Sequence, residues 1–358
     1  MTRRWMAIMA VAGAALLASG VTAGPAAACA GLVTPGGNVR LVRTGTLAAY
    51  HAGVEHYITS FRFEGGGAEF GSIVPLPGIP SNVERGGDWT LQRLVRETSP
   101  LFARDAAIAS PAASAGAVEL MKVKIDALDI TVLKGGAADI GTWATAHGFR
   151  LPPDAPEVLD FYAQRSPIFL AAAFDADAAK ARGQQIGDGT PVHITIPTKN
   201  PWVPLRILAL GKTKSDVVQA DVYLLTDEKP ALLPDPDSIL ANGGLKLTHS
   251  ASANDQLLTD LRTDKGMEWV PQSAWLTKIE IDAVATNLRF DLAIDASGAG
   301  QPSLRDAGFA PFGPLPAPPN WTPLWILVLA GSLAVPLGGA WLLVSATRSG
   351  GGRPLAGA

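Results

Sequence analysis

The run WTPLWILVLAGSLAVPLGGAWLLVSATR near the carboxyl end constrains this chain most. Residues 323–346 carry no charged side chain. A helix rises roughly 1.5 Å per residue, so the run is long enough to cross a hydrocarbon core of about 30 Å. Inside such a core each backbone N–H and C=O must be satisfied within the segment, which a helix achieves. Pro336 falls mid-span and predicts a kink of the kind membrane helices tolerate. Trp321, Trp325 and Trp341 lie towards the two ends, where indoles favour the membrane interface. Arg348 and Arg353 follow without any acidic residue, so the positive-inside rule puts residues 347–358 in the cytoplasm. Two rivals stand beside this reading, a buried core helix and a sorting tail that is processed. No cleavage motif for the latter is recognisable.

The amino end agrees. Arg3 and Arg4 make a basic start, residues 5–17 are apolar but too few to span, and small residues lead to a cut. Residues 1–28 therefore read as an export signal. The stretch TRRWMA half-matches a twin-arginine signal, although Met6 and Ala7 fit that pattern poorly. Cys29, the only cysteine, sits at the cut. Ala26 and Ala28 satisfy an ordinary signal peptidase cutting after Ala28, which leaves Cys29 first. Ala28 and Ala30 allow a cut that leaves Gly31 first. A lipid on Cys29 is the alternative, although Ala26 stands where a lipoprotein signal wants a Leu-like residue. Both ends predict one topology: a single-pass cell-membrane protein with residues 29–298 outside the cytoplasm and the lipid bilayer as a partner.

The chain has 358 residues, 47% of them hydrophobic and 17% charged, with a formal net charge of -3 and no charged block. Nothing in that balance points to nucleic acid. One cysteine excludes an intramolecular disulfide framework and a zinc site of several thiolates. Residues 299–322, rich in proline, read as a stiff stalk.

The body alternates with period two in many places. In EHYITSFRF, Tyr57, Thr59, Phe61 and Phe63 share one face while His56, Ser60 and Arg62 take the other. KVKID, PVHITIP and VVQADVYLL follow suit, and KIEIDAVATNLRFDLAID reads as two strands around a turn near Thr286 and Asn287. Such one-sided alternation predicts antiparallel sheet with one solvated face. The proline-bearing VPLPGIP reads as an edge strand blunted against aggregation, with a recognition edge as the alternative. Helices are expected in the middle. Ile140, Trp143, Ala144 and His147 recur at i, i+3, i+4 and i+7 before Gly148. Asp154 with Glu157 three later has capping-box spacing, and Val158, Leu159 and Tyr162 make the apolar face behind it. A further short helix is expected near residues 255–261. The fold class is α+β: a predominantly antiparallel ectodomain with a central helical pair, plus the C-terminal transmembrane helix.

The segments EFGSIVPLPGIP, LDITVLKGGAADIGTWATAHGFRLPP and NPWVPLRILAL occur in an order that resembles a bacterial family of exported domains of unknown function. The shared motifs are a strand ending at Ile73 to Pro77, the strand Asp129 to Leu133 and the helix bearing Trp143. The turn Gly148 to Pro152 and the strand Val203 to Leu208 complete them. The likeness covers about residues 29–227 and weakens beyond. Members often carry a second cysteine shortly after the first, where this chain has Thr34. The resemblance implies location and fold kinship, with no established activity or catalytic residues to carry over.

Candidate chemistry is sparse. His51 and His56 in HAGVEH stand five apart, which on a helix swings them roughly 140° around the axis, against the four of a metalloprotease helix. The region moreover reads as strand, so surface histidines are expected, and His193 falls on the polar, solvent-facing side of its strand. His147 reads as a half-buried residue at a helix end. Trp89, Trp202, Trp269 and Trp275 read as core fillers, with a saccharide groove as the alternative. No G-x-S-x-G, Walker or dinucleotide motif occurs, and Gly65, Gly66 and Gly67 lack the following helix that phosphate cradling needs. No catalytic, cofactor or metal residue is assigned. The sequence reads as a membrane-tethered binding or scaffolding ectodomain whose partner is an envelope ligand or membrane protein. The alternative is an extracytoplasmic hydrolase or peptide-modifying enzyme with dispersed residues. A packed small-residue face through Gly331, Gly338 and Gly339 would instead mark an accessory subunit of a membrane complex.

Overall fold

Strands that are apolar on both faces need cover on both, and that requirement shapes this molecule. The computed structural model describes residues 31–33, 40–41, 44–60, 63–64, 69–98, 118–183, 189–237, 243–296 and 300–309. The chain divides after Pro311, and all of these residues belong to the first unit. Ala28, Cys29, Gly65 to Gly67, most of the stalk and the 323–346 run with Arg348 and Arg353 lie outside them. Among the described residues no helix is long and apolar enough to cross a membrane.

Along the chain come β1 (Gly31–Val33), β2 (Arg40–Leu41), β3 (Thr44–His51), β4 (Val54–Ser60), β5 (Phe63–Glu64), β6 (Glu69–Leu76) and β7 (Asn82–Arg85). Helix α1 (Thr90–Thr98) precedes β8 (Val118–Ile125) and β9 (Leu128–Lys134), and α2 (Ala137–Ala146) and α3 (Ala155–Ala163) follow. Next are β10 (Ile168–Asp175), α4 (Ala176–Ala181), β11 (Pro191–Pro197), β12 (Trp202–Val203), β13 (Val217–Thr226) and β14 (Ala231–Leu233). The body ends with β15 (Leu245–Ser252), α5 (Asp255–Thr263), β16 (Trp275–Val284) and β17 (Leu292–Asp295).

Two large sheets stack. One has the order β1-β6-β10-β9-β8, the other β15-β16-β13-β3-β4-β11-β7. Their inner faces share a core in which Val74, Ile130, Val132 and Leu170 meet Tyr57, Ile194, Val222 and Ile279. Each such side chain, fully buried, contributes roughly 1.5–3 kcal/mol of transfer free energy before conformational entropy is subtracted. The outer face of the five-stranded sheet, with Ile73, Leu133 and Phe169, is covered by Ile140 and Trp143 of α2 and Leu159 and Tyr162 of α3. The outer face of the seven-stranded sheet, with Leu47, Ile58 and Leu225, is covered by Leu94 of α1 and Leu257, Leu258 and Leu261 of α5. The result is four layers, helix on sheet on sheet on helix.

This arrangement keeps the expected α+β class and the central helical pair and corrects several details. The solvated sheet face expected from alternation is covered on both large sheets. It survives locally on the edge strand β8, where Lys122 and Lys124 are exposed and Ile125 is buried. Pairing is antiparallel throughout these two sheets except for β3 beside β13, which run parallel from Thr44↔Ala220 to Tyr50↔Thr226. The proline-bearing β6 is interior to its sheet, yet its β1 partners end at Ile73, so at Pro75 the described ladder is to β10 alone. The strands β16 and β17 flank Ala285–Asn287 as expected, but β17 joins a separate sheet of order β12-β17-β14. Helix α3 starts after Asp154, whose carboxylate accepts from Gly211 N at 3.1 Å instead of capping its own helix. Glu157 pairs with Arg206. The capping interaction sits one helix earlier, where Asp139 Oδ2 accepts from Gly136 N at 2.8 Å.

Candidate functional site: a histidine pair beneath Trp269

Strands β4, β11 and β7 lie side by side. His193 of β11 is directly opposite Ile58 of β4 and Glu84 of β7. Directly opposed residues share a face, and so do residues two apart on a strand, so His56 joins His193 and Glu84 on the face towards α1 and α5. His56 is thus the diagonal neighbour of His193. Their side chains close the gap, and His56 Nδ1 lies 2.9 Å from His193 Nε2. The ring centroids are 5.2 Å apart, the N···N distance plus one imidazole radius at each end. The two nitrogens therefore face each other almost along the line of centres.

Trp269 stacks on His56 with centroids 3.7 Å apart and planes 7° from parallel. It is carried on the turn after α5, where its Nε1 donates to Gly266 O at 3.0 Å. Gly266 has φ +76, and a Cβ there would stand 3.5 Å from His193 Nδ1 and 3.9 Å from Glu84 Oε1. The turn is fixed from its start. The Asp264 carboxylate accepts from Asp88 N (3.0 Å), Trp89 N (3.1 Å), Thr90 N (2.8 Å) and Thr90 Oγ1 (2.7 Å). A carboxylate from one loop thereby satisfies the free amides at the start of α1 and meets the positive end of its dipole.

Burial, with the neighbouring charges of His193 and His51, lowers the His56 pKa to about 3. Burial takes His193 to about 4, opposed by Glu268. Both rings are neutral at pH 7, so one donates its N–H and the other accepts. Glu84 Oε1 stands 3.5 Å from His193 Nδ1, too long for a hydrogen bond, and with a neutral ring it is no ion pair. Its negative charge still favours the proton on His193 Nδ1. By that assignment His56 Nδ1–H donates to His193 Nε2.

Glu55, next along β4, points the other way into the inter-sheet core. It has no exposed surface, neither carboxyl oxygen has a hydrogen-bond partner, and burial pushes its pKa well above the carboxylate range. A second polar knot is structural. Asp291 accepts from Tyr162 OH (2.8 Å), Leu205 N (2.7 Å) and Arg206 N (3.0 Å) and is ion-paired with the buried Arg165. The Arg165 guanidinium lies over the rings of Phe161 (4.3 Å) and Trp202 (4.8 Å). The NPWVPLR motif thus serves to dock the end of the body on α3.

Three expectations change here. His51 and His56 lie on a hairpin, with Ala52 and Gly53 at its turn. His51 is half-exposed and paired with Asp227 at 2.6 Å, as befits a surface residue, whereas His56 is buried. His193, expected in solvent, is also buried, because α1, α5 and the Trp269 turn cover its face. His147, half-buried at its helix end as expected, stacks on Trp143 at 3.9 Å; its Nδ1 lies 2.7 Å from Trp143 O, while its buried Nε2 has no hydrogen-bond partner. Trp202 fills core, while Trp89, Trp269 and Trp275 are half-buried. Among the described residues no group of three or more His, Cys, Asp or Glu side chains is placed to hold a metal ion.

No curated protein matches the chain significantly. Among solved structures, baculovirus P35 aligns with TM-score 0.39 at 8% identity, over 72% of this chain and 97% of that one. A mutated baculovirus P35 after caspase cleavage aligns with TM-score 0.36 at 7% identity, over 72% and 99%. Scores of that size establish no common fold. The family model is decisive: it matches residues 23–234, from ahead of β1 through the whole Glu84–His193–His56 face, and the chain belongs to DUF2330, a family described as an uncharacterized protein conserved in bacteria.

Proposed function

We propose that this protein is a membrane-tethered ectodomain of the bacterial cell envelope that binds or scaffolds an envelope component. The chain is exported through residues 1–28, held by residues 323–346 and set off the bilayer by the stalk. The observation that carries the reading is the pair of membrane-directed segments flanking one folded body. In that body, the buried charges Asp264 at α1 and Asp291 with Arg165 are engaged in fixing loops and helices to one another. The test labels cells with a membrane-impermeant maleimide. In the Cys29→Ser background, a cysteine at the exposed Gln272 should label in intact cells and one at Ser349 only after lysis. The chain should stay with membranes on alkaline extraction, and truncation before Trp321 should release it. Labelling of Gln272→Cys only after lysis refutes the proposal.

One observation favours an enzyme instead: Glu84, His193 and His56, far apart in sequence, align as a carboxylate–imidazole–imidazole series. That reading requires His56 Nε2 to act as a base on a bound substrate. It fails if His56→Gln leaves every hydrolytic activity of the purified chain unchanged.

A further inference from the structure

The His56–His193 contact is unusual in one respect. Two good ligand atoms face each other in line, inside the fold, and make only one hydrogen bond between them. An apolar pair of the same shape serves stability about as well, so the pair calls for another role. We propose that His56 Nδ1 and His193 Nε2 form a linear two-imidazole site for a soft monovalent d10 cation, copper(I) or silver(I) in class. The proposal concerns the body alone and does not depend on where the chain resides.

Three features carry it. First, a two-coordinate d10 ion takes its ligands on opposite sides, and the two nitrogens already point along one axis. Metal–nitrogen bonds of about 2 Å need an N···N separation of about 4 Å, so the rings part by roughly 1 Å along the existing line. Second, tetrahedral and octahedral ions need further ligands, and among the described residues no set of three exists. That selects against zinc and the harder divalent ions, although imidazole by itself accepts them. Third, Glu84 Oε1 stands 3.5 Å from the buried, unpartnered Nδ1 of His193, so a ring shift of under 1 Å gives that nitrogen the carboxylate partner a metal-ligating histidine keeps. Binding needs no net proton release: the His56 proton moves from Nδ1 to Nε2, His193 keeps its own on Nδ1, and the site gains one positive charge.

The experiment uses the full chain in detergent with Cys29→Ser, since a thiolate would compete for the ion. Silver nitrate is titrated in chloride-free buffer and followed by calorimetry, native mass spectrometry and tryptophan fluorescence. The expected result is one tightly held silver ion per chain, with quenching that disappears in Trp269→Phe while binding persists. His193→Gln should weaken binding at least about 100-fold. Glu84→Gln, at a half-exposed position that spares the fold, should weaken it roughly 10- to 100-fold. X-ray absorption should show two nitrogen neighbours on the ion. Affinity unchanged in Glu84→Gln, silver retained by a folded His193→Gln, three or more ligands in the absorption spectrum, or zinc bound more tightly than silver would each overturn the proposal.

Discussion

Replacing Glu55 with methionine should make this protein more stable. Glu55 is wholly buried between the two sheets, and both its carboxyl oxygens lack hydrogen-bond partners. Burial raises its pKa well above 4.5, so folding shifts the side chain towards the neutral acid. A buried, unpaired polar group costs about 1–3 kcal/mol relative to its hydrated state. Methionine has a similar unbranched reach and no group to desolvate, so Glu55→Met should gain about 2 kcal/mol, or roughly 4 °C in melting temperature for a body of this size. The sign with pH is equally definite. Above pH 4.5 the unfolded chain releases the Glu55 proton while the folded chain keeps it. Native stability therefore falls as pH rises from 4.5 towards the raised folded value, by about 1.4 kcal/mol per pH unit for one proton. Urea melts of wild type and variant from pH 5 to 8 should diverge, with the methionine chain the flatter of the two. A Glu55→Met chain less stable than wild type at pH 7 by 1 kcal/mol or more refutes the reasoning. It would mean that the carboxyl has a favourable partner.

Asp291→Ala leaves the Arg165 guanidinium buried without its counter-charge and also frees Tyr162 OH and two backbone amides. The expected loss is about 3–5 kcal/mol in urea denaturation, with proteolysis starting after residue 291. Asp264→Ala removes the remote cap of α1 and should cost about 2 kcal/mol, with faster amide exchange at Asp88, Trp89 and Thr90. Gly87→Ala should reproduce part of that loss, because a Cβ there falls 2.3 Å from Asp264 Cγ.

The α+β class, the α2 and α3 helices and the Asp255–Thr263 helix were legible because their signals are local: periodicity, a stop glycine, a cap. Helix α1 carries no such local signal. Its burying side is narrow, with Thr90 and Leu94 as its buried residues, and its cap is Asp264, distant in sequence. The misjudged faces have one cause. Alternation says which residues share a face of a strand and leaves open whether water or a helix covers it. The hint lay in Ile58, an apolar residue between His56 and Ser60 on the supposedly wet side, and in Tyr223 and Leu225 on β13. The histidine pair itself lay beyond sequence reasoning, since it depends on the β4–β11 register, which joins residues 137 positions apart.

The paired imidazoles are tested most directly by nitrogen-15 NMR of the histidine rings through a pH titration. The folded pKa values, about 3 for His56 and about 4 for His193, lie below the ordinary 6.5. The pair therefore stabilises the fold above pH 6.5, and that contribution is lost as pH falls from there towards 4 and 3. The expected spectrum shows one proton coupled to both His56 Nδ1 and His193 Nε2, with both rings neutral down to about pH 5. Two uncoupled rings, each gaining a proton near pH 6.5 in the folded protein, would contradict the account.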